Sequence, residues 1–171
     1  MQGTWELPDR LHTSRLVLRA HRLDDVDDLL EFHSDPEVVR YLPWPVRDRE
    51  QVLEHLGRRV EQTRAATDGE WVAYAAEFEG TVVGEVLLKR VSVTVAELGY
   101  AFARRVHGTG VASEACAAML DLGSARFGIE RVIAVVDPRN SASIRLLERF
   151  GFVPDESRDP AFLQFARVAT P

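Results

Sequence analysis

The stretch Arg105-Val106-His107-Gly108-Thr109-Gly110-Val111-Ala112 sets two glycines between a strand-like run and a helix-like run. Glycine lets the backbone turn sharply and approach a ligand with no Cβ in the way. A helix that begins there turns unpaired N–H groups and the positive end of its dipole toward the loop. Such a junction favours a phosphate or pyrophosphate. Alone, the same two glycines also describe an ordinary strand-to-helix turn. A Walker A loop is excluded, because no lysine with serine or threonine follows Gly110 in register. A dinucleotide fingerprint fits poorly: Ser113 stands where a third glycine or alanine belongs, and Glu130 precedes the next strand instead of ending it.

Other residues could do chemistry. Asn140 and Ser143 lie one turn apart at the start of a helix and share a face. By local logic alone they are an N-cap and a first-turn polar residue. Glu97 and Glu85 put carboxylates on two strands. Phe32, His33, Tyr41, Trp44 and Trp71 supply aromatic surface that suits either a cation or a core. The five histidines show no ligand spacing, so no metal is expected. No G-x-S-x-G occurs, and Cys116, among alanines in a helix, reads as a buried structural thiol.

At 171 residues the chain is expected to form one domain over 1–171. Its 46% apolar and 28% charged residues are those of an ordinary globular protein. A net charge of −6 argues against a nucleic-acid partner. A lone cysteine fits a reducing compartment, and the start of the chain does not resemble a signal peptide. No run approaches a membrane span. A cytoplasmic protein without a membrane partner is expected, as monomer or homodimer.

The elements that would position these residues follow from periodicity. Leu16-Val17-Leu18 reads as a first strand, and Asp24 to Phe32 as a helix with Asp24 as its cap. Ser34-Asp35-Pro36 restarts a short helix that ends by Tyr41 to Pro45, and Arg47 to Ala66 reads as a third. Trp71 to Phe78 and Thr81 to Leu88 form a hairpin across Glu79-Gly80, and Glu97 to Ala103 alternates as a further strand. After the glycine loop come a helix, Val111 to Phe127, and an apolar strand, Val132 to Val136. A last helix, Ser141 to Phe150, precedes closing strands at Phe152-Val153 and Phe162 to Val168. The sum is an α/β (α+β mixed) fold: a central twisted, mostly antiparallel sheet of about six to seven strands with helices on both faces.

The arrangement Arg105-x-x-Gly108-x-Gly110 resembles the acetyl-CoA pyrophosphate loop of the GNAT superfamily of N-acetyltransferases, Q/R-x-x-G-x-G/A. Ala96-Glu97-Leu98-Gly99-Tyr100 is similar to the a-E-i-G-Y strand of its RimJ/RimL-like branch. Asp137 through Phe152 follows that branch's D-P-x-N-x-A-S-x-R-l-l-E-k-x-G-F. Thr13 to Arg19 and Ser34 to Val38 match T-x-R-L-x-L-R and d-P-e-V, so the resemblance spans nearly the whole chain in order. His107 stands in place of the usual tryptophan, and Thr109 in place of a common lysine or arginine.

The resemblance implies a GNAT-like fold and an acetyl-CoA-dependent N-acetyltransferase acting directly on a primary amine, of a small molecule or a peptide N-terminus. The alternative is a catalytically silent CoA-binding sensor or accessory domain. The resemblance implies that the N–H groups of Val106, Gly108, Gly110, Val111 and Ala112 grip the pyrophosphate of coenzyme A. Phe102, Ala103 and Arg104 would pair with pantetheine, and Arg105 would neutralise phosphate. Asn140 would contact pantetheine and Ser143 would lie near the sulfur. Many members carry a tyrosine acid four residues later, where this chain has Leu147. Glu97 is the leading base and Glu85 the alternative. Phe32, His33, Tyr41, Trp44 and Trp71 are the expected acceptor contacts.

Overall fold

The computed structural model describes residues 3–169. The sheet is seeded by a tight hairpin. Strands β5 (Trp71–Phe78) and β6 (Thr81–Arg90) meet across Glu79 and Gly80, both at positive φ, 52° and 80°. Such a turn matches the right-handed twist of the strands it joins.

Around that hairpin stand β1 (Trp5–Glu6), β2 (Arg10–His12), β3 (Leu16–Arg19), β4 (Arg64–Ala65), β7 (Val95–Phe102), β8 (Arg131–Val136), β9 (Val153–Asp155) and β10 (Leu163–Val168). The main sheet has eight strands in the order β2-β3-β5-β6-β7-β8-β10-β9, and β1 with β4 makes a separate ribbon. The sequence reading of six to seven strands lacks β1, β2 and β4, each too short to show alternation. Every neighbouring pair is antiparallel except β7 and β8.

Helices α1 (Val26–His33), α2 (Pro36–Val39) and α3 (Arg49–Glu61) follow β3. Val26, Leu29 and Phe32 of α1 and Val52 and Leu56 of α3 pack on Ala75, Val82, Ala101 and Ala103. The other face carries α4 (Val111–Phe127) and α5 (Ser141–Arg149) on a larger core that includes Val86, Leu88, Met119, Leu147 and Phe165. Two boundaries differ from expectation. Asp24 does not cap the first helix; residues 23–25 form a 3-10 turn, and Asp25 is buried against Arg19 at 2.7 Å. The third helix starts after Asp48, whose carboxylate accepts from Gln51 N, and ends at Glu61 rather than Ala66. Ala65 instead pairs with Trp5, so cross-chain pairing overrides local helix preference.

One irregularity shapes the sheet. Strands β7 and β8 pair only over Val95–Glu97 and Arg131–Ile133, although β7 runs on to Phe102 and β8 to Val136. Beyond Glu97 the two strands diverge, and the sheet opens into a V.

Candidate active site at the opening between two strands

The glycine loop lies at the mouth of this V. Residues 104–106 form a 3-10 turn, and Gly108 and Gly110 follow at φ 74° and 84°. Gly110 is the N-cap of α4, so the amides of the helix's first turn face outward without intrahelical partners. The loop is braced from within. Thr109 Oγ1 donates to Val106 O at 2.7 Å, and His107 Nε2 donates to Phe102 O at 2.9 Å. The histidine that replaces the usual tryptophan therefore ties the loop to the end of β7.

A cation that the sequence reading did not single out sits at the loop. Arg15 Nη1 donates to Thr109 O at 3.0 Å, and a Cβ on Gly110 would lie 3.2 Å from Arg15 Nη2. Glu114 in the first turn of α4 holds Arg15 through Nε at 2.7 Å and through its backbone N at 2.7 Å. A guanidinium just before β3 thus lies at the loop whose position 109 lacks a basic residue, with Glu114 balancing its charge. Arg15 had a signal, its place in the Thr13-to-Arg19 motif, but its target lies about a hundred residues away. Arg105 pairs with Glu31 at 2.9 Å and Arg104 with Asp35 at 3.1 Å, both arginines solvent-exposed. Surface pairs of this kind are weak, which leaves either arginine free to turn toward a phosphate.

The walls of the V carry the next residues. Asn140 caps α5, its Oδ1 accepting from Ser143 N at 3.1 Å, as local logic predicts. Ser143 Oγ hydrogen-bonds to Tyr100 Oη on β7, so the two walls are bridged by a hydroxyl pair. Ala103 N donates to Val83 O at 2.7 Å, so this amide serves the sheet and is not available to pair with a ligand.

Glu97 occupies the last rung before the strands part, opposite Ile133 on β8 and Lys89 on β6. It lines a cleft of about 410 Å³ together with Lys89, Ile133, Val135, Arg158 and Gln164. Alternation places Glu97 on the same sheet face as Glu85 and Ala101, the face that α1 and α3 cover farther along. Trp71 stands beside this region with Lys89 Nζ 5.4 Å from its ring centroid.

Glu85 has a different setting. It is fully buried, with Arg59 Nε at 2.9 Å and the Nε2 atoms of His21, His33 and His55 at 3.3, 3.6 and 3.5 Å from its oxygens. Burial alone would raise its pKa; the Arg59 guanidinium and the imidazoles outweigh that and hold the carboxyl well below the usual range. The expectation of Glu85 as an alternative base is therefore corrected. It is sealed from any acceptor and already committed to a cation. Nor do these donors fit a metal, though the His33, His55 and Glu85 ligand atoms lie within 4.8 Å of one another. Arg47 Nη1 donates to His33 Nδ1 at 3.0 Å, which leaves the hydrogen on Nε2, and Arg59 brings a second positive charge.

The expected acceptor contacts divide. Phe32 is 1% exposed and belongs to the core beneath α1 and α3, and His33 belongs to the Glu85 cluster; both are corrections, since neither forms a wall. Trp44 stacks on His33 at 6.0 Å under the Arg47 guanidinium. Tyr41 lies between the guanidiniums of Arg40 and Arg139, 5.5 and 5.6 Å from its centroid.

Comparison with known proteins gives the family. The family model described as the acetyltransferase (GNAT) domain matches residues 15–153. The chain belongs to the GNAT family. It is an acyltransferase of the N-acetyltransferase type. It is 33% identical to the uncharacterized N-acetyltransferase p20 of Bacillus licheniformis, over 84% of this chain and 82% of that one. It is 34% identical to the protein YkkB of Bacillus subtilis, over 83% and 84%. The GNAT acetyltransferase structure from Bacillus anthracis superposes with a TM-score of 0.81 at 22% identity, covering 94% of this chain and 98% of that one. RimL, a ribosomal L7/L12 α-N-protein acetyltransferase solved with coenzyme A, shares the fold with a TM-score of 0.77 at 19% identity, over 95% and 97%. No helix among the described residues is long and apolar enough to cross a membrane.

Proposed function

We propose that this GNAT enzyme transfers the acetyl group of acetyl-CoA directly to a primary amine, the whole chain acting as one domain. The observation that carries the reading is the divergence of β7 and β8 immediately after Glu97, with the glycine loop at the open end. A pyrophosphate fits the loop: free first-turn amides, a glycine N-cap and the Arg15 guanidinium converge there. Pantetheine, an extended amide chain, suits the gap between two strands whose edges are unpaired. The thioester end then reaches the closed end of the V, where Glu97 stands.

In this reading the loop and strands hold the donor, and backbone N–H groups of the diverging strands polarise the carbonyl. Glu97 takes the proton that the amine loses on attack. An α-amino group, with a pKa of about 7.7–8.0, needs little help, whereas a lysine-like amine near 10.4 depends on the base more strongly. The acceptor is a small-molecule amine or a peptide N-terminus that enters by the cleft lined by Lys89, Glu97 and Arg158.

A second reading, a CoA-binding sensor without turnover, draws on Leu147 at the position of the usual tyrosine acid. The test is release of free CoA thiol from acetyl-CoA over a panel of small amines and peptides, alongside thermal stabilisation by acetyl-CoA. Amine-dependent release supports transfer. Stabilisation without release on any acceptor supports the sensor, and stabilisation by neither acetyl-CoA nor CoA overturns both.

A further inference from the structure

The geometry points to Tyr100 as the proton source for the departing thiolate, delivering through Ser143 across the opening between β7 and β8. The inference rests on the acetyl-transfer reading. Tyr100 lies on β7 three residues beyond the last rung that joins it to β8, and Ser143 lies in the first turn of the helix that follows β8. Their hydrogen bond is thus a bridge between the walls of the V, beside the path that an extended pantetheine would take toward Glu97.

The partner's chemistry gives this bond its significance. Tyr74, two strands away on β5, donates to a backbone carbonyl, Pro8 O, at 2.5 Å, which fixes its hydrogen. Tyr100 meets a hydroxyl, which can accept and donate at once. When the phenol donates to Ser143 Oγ, the serine hydrogen is left to point elsewhere. The backbone N of Ser143 is held by Asn140, so the first turn of α5 is set in place while the hydroxyl rotates. Leu147, one turn along, offers no hydrogen, so a supply from the opposite wall replaces one from the helix.

Environment makes a supply necessary. Tyr100 is largely buried, and burial, with Cys116 nearby, raises its pKa, so that it stays protonated at neutral pH. The Cys116 thiol of α4 is likewise pushed up by burial. A thiolate expelled into such surroundings is destabilised in the same way and leaves poorly without a proton. In the step itself the amine nitrogen bonds to the carbonyl carbon, and the C–S bond breaks with its electron pair on sulfur. The Ser143 proton passes to sulfur and the Tyr100 proton to Ser143 Oγ. A proton from water replaces the phenol's own in the same movement, so that no buried phenolate is left, and Glu97 receives the proton lost by the amine.

Tyr100→Phe keeps the ring and removes the proton, and circular dichroism checks its fold. Two measurements follow. Turnover with acetyl-CoA should fall about 10- to 100-fold, within or below the range for a general acid, while KM for acetyl-CoA changes less than about twofold. Ser143→Ala should lose a similar factor, and the double variant should be no worse than either single one, as expected for groups acting as a unit. Independently of any acceptor, the thiol of bound CoA, titrated by its ultraviolet thiolate absorbance, should have a pKa about one unit higher in Tyr100→Phe than in the wild type. Failure of the wild type to bind CoA overturns both this inference and the acetyl-transfer reading. CoA binding with unchanged thiol pKa and turnover in Tyr100→Phe, or losses that multiply in the double variant, overturns the relay alone.

Discussion

Replacing Glu85 by glutamine removes the charge around which β6, α1, α3 and the segment after β3 are packed. Glu85 has no solvent exposure, and the side chain of Arg59 retains only 10%. Breaking a buried ion pair by deleting one partner leaves the other charge desolvated and unpaired, at a cost of about 3–5 kcal/mol. Glutamine keeps one acceptor but turns an NH₂ toward a site already filled with donors, so the amide offers little relief. For a chain of this length each kcal/mol shifts Tm by about 2–4 °C, so a Tm lower by about 6–20 °C is expected. Urea and thermal unfolding followed by circular dichroism at pH 7.5 provide the measurement. A variant within about 1 kcal/mol of the wild type would refute the reasoning. The pH dependence has a definite sign. The His55 pKa is lowered, chiefly by burial, and the Glu85 pKa is lowered too. Both groups bind protons more readily when unfolded, so their contributions are present at neutral pH and diminish as the pH falls. The loss begins below about 6.5 for His55 and below about 4.5 for Glu85. Arg59→Met should be less destabilising at pH 5.5 than at pH 8, because a cluster imidazole then takes a proton and replaces the lost cation.

Gly110→Asp should abolish CoA binding measured by calorimetry, since φ 84° disfavours a side chain and its carboxylate would meet the loop beside Arg15. Arg15→Ala should weaken CoA binding by about tenfold, an effect that shrinks with added salt; unchanged affinity would detach Arg15 from the phosphate site. Glu97→Gln should lower kcat about 10- to 1000-fold with CoA affinity intact, and most for acceptors of high pKa; full activity removes Glu97 as base. Gly84→Ala should cost about 2 kcal/mol or more in urea unfolding, because the new Cβ would lie 2.2 Å from Phe102 Cδ1 and 2.6 Å from the Ala101 carbonyl.

What was legible in the sequence is what local backbone chemistry dictates. Gly108, Gly110 and Gly128 adopt the left-handed values that their turns require, and Asn140 caps the helix it precedes. The strand carrying Glu97 followed from alternation. The Glu85 cluster left no trace, because its five members come from β6, α1, α3 and a loop, and only His55 and Arg59, one turn apart on α3, are related by spacing. Tyr100 and Ser143 each lie within a motif, yet their contact spans forty-three residues and exists only once β7 and β8 splay. Phe32 and His33 misled for a related reason. A helix spacing identifies which side chains face inward, but not whether that interior is a binding wall or a core.

The parted strands have a thermodynamic consequence. Past Glu97, the facing edges of β7 and β8 share no ladder, so the fold carries an unfinished seam through its middle. A ligand that closes it acts as a removable structural member, and it stabilises the native state by about 2.7 kcal/mol at a hundredfold excess over its Kd. On the proposed reading, the lifetime of the folded chain in a cell then follows the supply of its acyl donor. A population starved of that donor would be cleared first, without any dedicated sensor.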